Sequence, residues 1–207
     1  MSRIRSSILE VERKFRRLAV KTLTREGGVP PFRSLQSLHI KTIHDIYYDK
    51  ADILYNAGTW VRRRNGQWEA KIRLGGDLVN SRFEELKGAR EIAACVRRIT
   101  GNDIEEDCNF GLVTMAEFTT TRETWVADGE FSIVRDRTDF GHEVGEVELQ
   151  AEVDGLTENE KKRVMAGMDE RIGQFMERYS WAFAQGKAVG KLTAYAKMVG
   201  QTAAARS

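Results

Sequence analysis

Cysteine is nearly missing from this 207-residue sequence, which holds only Cys95 and Cys108. The two sit in no metal-ligand spacing, which excludes a disulfide framework and a thiolate zinc site. No apolar run approaches the ~18 residues of a membrane-spanning helix, so no membrane partner is expected. Met1 to Ser7 is basic and polar, without the apolar centre of a secretory signal and too short for a transit peptide. A reducing, cytoplasmic setting is the expectation. An excess of one charge is missing too. Lys+Arg 33 against Asp+Glu 31 leaves +2, which argues against a nucleic-acid partner, because such domains are clearly basic. There is no G-x-x-x-x-G-K loop and no Ser/His/Asp or Cys/His pattern, so the common nucleotide-binding scaffold and a protein nucleophile both fall away.

What is present is charge of both signs. Charged residues make up 31% and hydrophobic residues 41%, a globular composition with ample sequence for a core. One domain over 1–207 is expected, with its core at about 8–195 and a disordered tail at 200–207; no repeat or linker is visible.

Most of the chain reads as strands. Ile8–Phe15 is the first, followed by irregular sequence punctuated by Gly27-Gly28 and Pro30-Pro31, with a short helix expected near Arg16–Thr24. His39–Tyr48 alternates, and Asp52–Asn56 reads as a helical turn. Thr59–Arg64 and Gln67–Arg73 flank Asn65-Gly66, the strongest short hairpin signal there is. A strand from Asn80 to Leu86 precedes helical spacing over Ala89–Gly101. Strands are then expected at Val113–Thr121, Glu123–Val126, Phe131–Val134 and Glu143–Val153, with turns at Asp128-Gly129 and Asp139–Gly141. Seven or eight strands at hairpin spacing predict a closed or strongly curved antiparallel sheet. Thr157 with Glu160 forms a capping box opening a long helix, whose stripe Val164, Met168, Ile172, Phe175, Met176, Tyr179 and Phe183 should pack on the sheet, with Gly186 as its end. Val189–Tyr195 starts a short second helix.

Side chains alternate faces along a strand. Glu10, Glu12 and Lys14 therefore share one face, with Leu9, Val11 and Phe15 outside that row. Arg62 shares a face with Arg64 and Trp60, Lys71 with Arg73, and Glu146 with Glu148. Like charges two residues apart are unfavourable unless a counter-charge or solvent offsets them. Four strands repeating this pattern point to one polar cavity inside a barrel, which at about eight strands has room for a small ligand. Gathered carboxylates suit a hard cation, Mg²⁺ or Mn²⁺. Arginine forks and lysine point charges suit phosphate. Both together suit a metal–polyphosphate complex, whose cleavage requires no protein nucleophile.

The ordered set Glu10-Val11-Glu12-Arg13-Lys14-Phe15, Tyr47-Tyr48-Asp49, Trp60-Val61-Arg62-Arg63-Arg64, Trp68-Glu69-Ala70-Lys71, Asp139-Phe140-Gly141 and Val144-Gly145-Glu146-Val147-Glu148, with Lys191-Leu192 late in the chain, resembles the CYTH, or triphosphate tunnel metalloenzyme, superfamily. Its thiamine triphosphatase branch is the most similar. The resemblance runs from about residue 8 to 195. It implies an α+β fold, an eight-stranded antiparallel β-barrel with helices packed outside, and Mg²⁺-dependent hydrolysis of the terminal phosphate of thiamine triphosphate, giving thiamine diphosphate and phosphate in a monomeric enzyme. Alternatives on the same tunnel are tripolyphosphate or nucleoside triphosphate hydrolysis and cyclic nucleotide synthesis. A non-catalytic polyphosphate-binding module is the alternative of another class.

Carried over by position, Glu10, Glu12, Asp136, Glu146 and Glu148 look like the metal-side carboxylates, with Mn²⁺ a possible substitute for Mg²⁺. Lys14, Arg62, Arg64, Lys71, Arg122 and Lys191 look like the phosphate-binding set. Lys14, Glu146 and Glu148 are the candidate catalytic groups. Glu85 resembles a further tunnel acid, although a slip of one residue would put Glu84 there instead. Trp60 resembles the aromatic that stacks on the thiamine ring. Arg73 matches no position of the pattern and lies either against the phosphates or outside the tunnel. Arg135 and Arg137 should point outward, and His39, His44 and His142 should be solvated or capping.

Overall fold

The computed structural model describes the backbone of residues 6–204 and the side chains of residues 7–200. Its strands are β1 (Ser6–Phe15), β2 (Leu35–Ser37), β3 (Lys41–Asp49), β4 (Thr59–Arg64), β5 (Gln67–Gly76), β6 (Asn80–Lys87), β7 (Val113–Ala127), β8 (Phe131–Thr138) and β9 (Glu143–Asp154). All pair antiparallel in the order β2-β7-β3-β4-β5-β6-β1-β9-β8. A further β7–β8 pairing joins the ends, so eight strands close into a barrel and β2 stays outside. The long strand β7 makes this possible. Its first part pairs with β3 through Lys41↔Arg122, and its last residues pair with β2 through Leu35↔Ala127.

The alternation seen in the sequence separates two environments. Outward-facing Leu9, Val11, Phe15, Ile133, Val147 and Leu149 pack under α3 (Glu158–Arg178), which contributes Met165, Met168, Ile172 and Phe175. On the other flank, α1 (Ile53–Asn56) and α2 (Ala89–Thr100) cover Tyr48, Val61, Trp68 and Ala70 with Leu54, Ile92 and Val96. Burying each such side chain contributes roughly 1.5–3 kcal/mol. Most of the apolar core thus lies between the barrel wall and the helices, and the polar rows face inward; a smaller cluster of Tyr47, Ala116 and Phe118 packs with the tunnel-lining Trp60 and Leu192. No helix among the described residues is long and apolar enough to cross a membrane.

Local chemistry sets the corners. Asn65 and Gly66 take positive φ values of 47° and 83°, as the two-residue β4–β5 turn requires. Asp49 accepts the backbone N–H groups of Leu54 and Tyr55 at 3.0 and 2.9 Å, tying β3 to α1. Asp139 accepts the Thr119 N–H at 2.9 Å. Two acids of the resemblance motifs therefore hold turns. Thr157 and Glu160 cap α3 reciprocally, as expected.

Several expectations are corrected. Residues 16–24 form no helix. Leu18 instead pairs with Phe183 in an isolated bridge, and Leu18 and Leu23 are drawn into the core under α3, where tertiary contact overrides local propensity. The strands expected at Val113–Thr121 and Glu123–Val126 are one, β7, because Arg122 continues the ladder with Asp136 opposite. α3 ends at Arg178, and a short 3-10 turn (Ser180–Ala182) follows. The second helix, α4 (Lys191–Ala204), is longer than expected and takes in part of the tail read as disordered; residues 205–207 lie outside the described residues.

Candidate functional site: a charged tunnel

The barrel encloses a cavity of about 270 Å³ lined by Glu10, Glu12, Lys14, Trp60, Arg62, Arg64, Lys71, Glu85, Arg122, Glu146, Glu148 and Lys191. Asp136 is fully buried in the wall behind that surface. Glu84 turns the other way and accepts from Lys161 on α3 at 2.9 Å, so Glu85 is the acid in the tunnel. Arg73 also lines the tunnel. Arg135 and Arg137 point outward to Glu123, at 2.6 and 3.5 Å. His44 meets the exposed Glu117 at 2.9 Å, and His142 donates to the Val189 carbonyl at 2.8 Å; His39 is exposed.

Strand register creates the acidic wall. Across β1 and β9, Glu12 stands opposite Glu148, Lys14 opposite Glu146, and Glu10 opposite Gln150. One oxygen each from Glu12, Glu146 and Glu148 lies within 4.8 Å of the others, and all three residues are buried. Two carboxylates directly opposed across a ladder repel each other. Burial, then the charge of Glu10, holds the Glu148 carboxyl well above the usual range. Burial and then Glu146 raise Glu12. Glu146 behaves in the opposite way. Burial alone would raise it, but Lys14, Lys191 and Arg122 outweigh that and keep it ionised far below the usual range. Three converging carboxylate oxygens fit a hard divalent cation.

The remaining charges come paired. Lys14 bonds to Glu12 and lies 3.5 Å from Glu146. Lys71 bonds to Glu10 and lies 3.4 Å from both Glu12 and Glu85. Burial would lower the Lys71 ammonium, but Glu10, Glu12 and Glu85 hold it well above its usual value. Asp136 takes Arg122 at 2.7 Å and bonds to Lys191 at the start of α4. Both its oxygens are thereby committed to cations. Arg62 reaches Glu69 at 2.8 Å and Tyr47 at 3.3 Å. Asp45, fully buried, holds Arg64 with two bonds of 2.8 Å and lies 3.9 Å from Arg62.

Asp45, Tyr47, Glu69 and Gln150 are tunnel-side groups that sequence reasoning did not select. The signal for two of them is cross-strand, because Asp45 is the register partner of Arg64 and Glu69 that of Arg62. At the tunnel mouth, Trp60 stands edge-on to Tyr55 and Phe83, with centroids 6.0 and 5.6 Å away, and the Arg73 guanidinium lies 4.7 Å over its ring.

Among solved structures, the PH1819 protein of Pyrococcus horikoshii is similar over 91% of this chain and 99% of its own, at 14% identity and a TM-score of 0.57. A Hippeastrum protein described as a putative adenylyl cyclase with a dominant triphosphatase activity is similar over 91% and 96%, at 17% identity and a TM-score of 0.50. These likenesses concern the fold. The CYTH domain family matches residues 9–166, the stretch carrying β1 to β9 and the acidic wall. The chain belongs to the CYTH domain family.

Proposed function

We propose that the protein is a divalent-metal-dependent hydrolase that removes the terminal phosphate of thiamine triphosphate. One observation carries the reading. The converging oxygens of Glu12, Glu146 and Glu148 share one tunnel with Lys14, Arg62, Arg64, Lys71, Arg122 and Lys191. A site that only bound an anion would not gather buried carboxylates against it. CYTH tunnels act on triphosphates, which supports the same class of substrate.

Glu12, Glu146 and Glu148 would hold Mg²⁺, or Mn²⁺ in its place, with Glu10 beside them. When bound, the cation supplies charge neutralisation at phosphate oxygens. The chain's own groups do the rest. Arg62 and Arg64, oriented by Asp45 and Glu69, present donor forks to the phosphates. Lys14 keeps its proton between Glu12 and Glu146 and stabilises charge on the transferring oxygens. Arg122 and Lys191, aligned by Asp136, do the same from beside Glu146 and Glu148. A water oriented by a wall carboxylate attacks the terminal phosphorus in line. A carboxylate of the acidic wall, Glu146 or Glu148, takes the water's proton as the P–O bond to thiamine diphosphate breaks. Trp60 at the mouth would stack on the thiamine ring system.

A second reading, hydrolysis of bare tripolyphosphate, is favoured by one observation, the Arg73 guanidinium lying on the Trp60 ring. The test is phosphate release from thiamine triphosphate, tripolyphosphate and ATP, with and without Mg²⁺. Metal-dependent release that is fastest from thiamine triphosphate is the expected result; no release from any of the three overturns the assignment.

A further inference from the structure

We propose that Arg73 sets the balance between a ring-bearing and a bare triphosphate, by covering the face of Trp60 and placing an unpaired positive charge at the tunnel mouth. The inference rests on reading the tunnel as a triphosphate site, and not on which triphosphate is the natural one.

Three observations set Arg73 apart from the six cations of the phosphate-binding set. Lys14, Arg62, Arg64, Lys71, Arg122 and Lys191 each have a carboxylate partner within 4.0 Å. Arg73 forms no ion pair among the described residues, and its Nε is buried without a hydrogen-bond partner. Its position is also built in. The β5–β6 ladder shifts register between Arg73 and Gly75, and such an irregularity re-aims the side chains beside it. The aim is toward Trp60, whose plane is fixed by the perpendicular rings of Tyr55 and Phe83.

Two opposed effects follow from this placement. A guanidinium with free donors at the mouth of a phosphate tunnel adds a contact for phosphate oxygens. The same guanidinium must leave the indole face before a planar ring stacks there, which gives up a cation–π contact. It also repels a ring that is itself a cation, as the thiazolium of thiamine is. Arg73 therefore strengthens a bare polyphosphate and weakens a cationic ring-bearing one. Trp60 does the reverse.

The experiment is titration calorimetry in EDTA with thiamine triphosphate and with tripolyphosphate, on the wild type, Arg73→Met and Trp60→Ala. Methionine keeps the bulk of the stem and removes the charge; should it not fold, Arg73→Gln is read in the same way. We expect the ratio of thiamine triphosphate to tripolyphosphate affinity to rise about two- to fivefold in Arg73→Met and to fall in Trp60→Ala. An unchanged or lower ratio in the Arg73 variant overturns the proposal, and so does an equal loss of both affinities. Phosphate release with Mg²⁺ is measured in parallel. If the ratio shifts while the wild type releases phosphate from neither compound, the hydrolase reading fails and the Arg73 assignment stands. If the wild type binds neither compound, both fail.

Discussion

Glu12 on β1 stands directly opposite Glu148 on β9, two buried carboxylates in register across one ladder. Nothing in the folding of a barrel calls for that pair. Glu148→Gln removes one of the opposed carboxyls and keeps the shape. The variant should fold with a melting temperature at or above that of the metal-free wild type. It should lose at least about tenfold in divalent-cation affinity, with a matching drop in phosphate release. Calorimetry with Mn²⁺ and a thermal melt check both halves, and unchanged Mg²⁺-dependent turnover would sink the assignment.

The same pair predicts a pH dependence. Burial and neighbouring acids raise Glu148 and Glu12, so the folded protein holds protons there that the unfolded chain has released. Their contribution to metal-free stability should therefore fall as pH rises from the ordinary carboxylate range, near ~4, through the raised folded values. A divalent cation competes with those protons, so its apparent affinity should increase over the same interval, by up to about tenfold per pH unit for each proton displaced. Cation titrations at stepped pH read this directly. A flat profile would show that Glu12 and Glu148 are already ionised without metal.

The Asp45 carboxylate holds Arg64 and lies 3.9 Å from Arg62, two arginines that would meet phosphate. Burial works against its charge, but the Arg64 hydrogen bonds and the charges of Arg62 and Arg64 hold its carboxyl below the usual range. Asp45→Asn keeps two polar atoms but not the charge. We expect a loss of about 1–3 kcal/mol in stability and a rise in KM for the triphosphate larger than the fall in kcat. A fall in kcat alone would count against a positioning role.

Asp169 on α3 joins the helix to two strands, with Arg13 on β1 at 2.7 Å and Arg82 on β6 at 2.8 Å. Burial would raise its carboxyl, yet the hydrogen bonds from Arg82 and Arg13 lower it below the usual range. Its contribution is therefore fully present above the ordinary Asp value and is lost as pH falls through the depressed one. Asp169→Asn should lower the melting temperature by a few degrees at neutral pH, for about 1 kcal/mol in a part-exposed network. The gap to wild type should close in acid. Equal gaps at neutral and acid pH would exclude the charge as the cause.

How much of this was legible in the sequence depends on the range of the interaction. The charged face of β1 and the matching rows on β4, β5 and β9 were readable because alternation is local, and their repetition pointed to a common interior. The choice between Glu84 and Glu85 was not, because it depends on how β6 is registered against the distant β1 and on the irregular ladder it forms with β5. Asp45 and Glu69 went unnoticed for the same reason, as isolated acids whose arginines face them from the next strand. The helix expected at 16–24 failed where Leu18 and Leu23 gain more from the core under α3 than from their own hydrogen-bonded turn. The three-residue β2 is too short to carry a period of any kind.

The placement of most of the apolar core outside the barrel has a consequence for how the protein tolerates change. Each wall strand answers to two separate demands, one per face, and neighbouring positions share a backbone but not a task. A substitution scan along β1 should alternate. Leu9 and Val11 should register as loss of folded protein with activity per folded molecule intact, and Glu10, Glu12 and Lys14 as loss of activity in molecules that still fold. The interior is thus free to be rewritten for a different anion while the shell keeps the same shape.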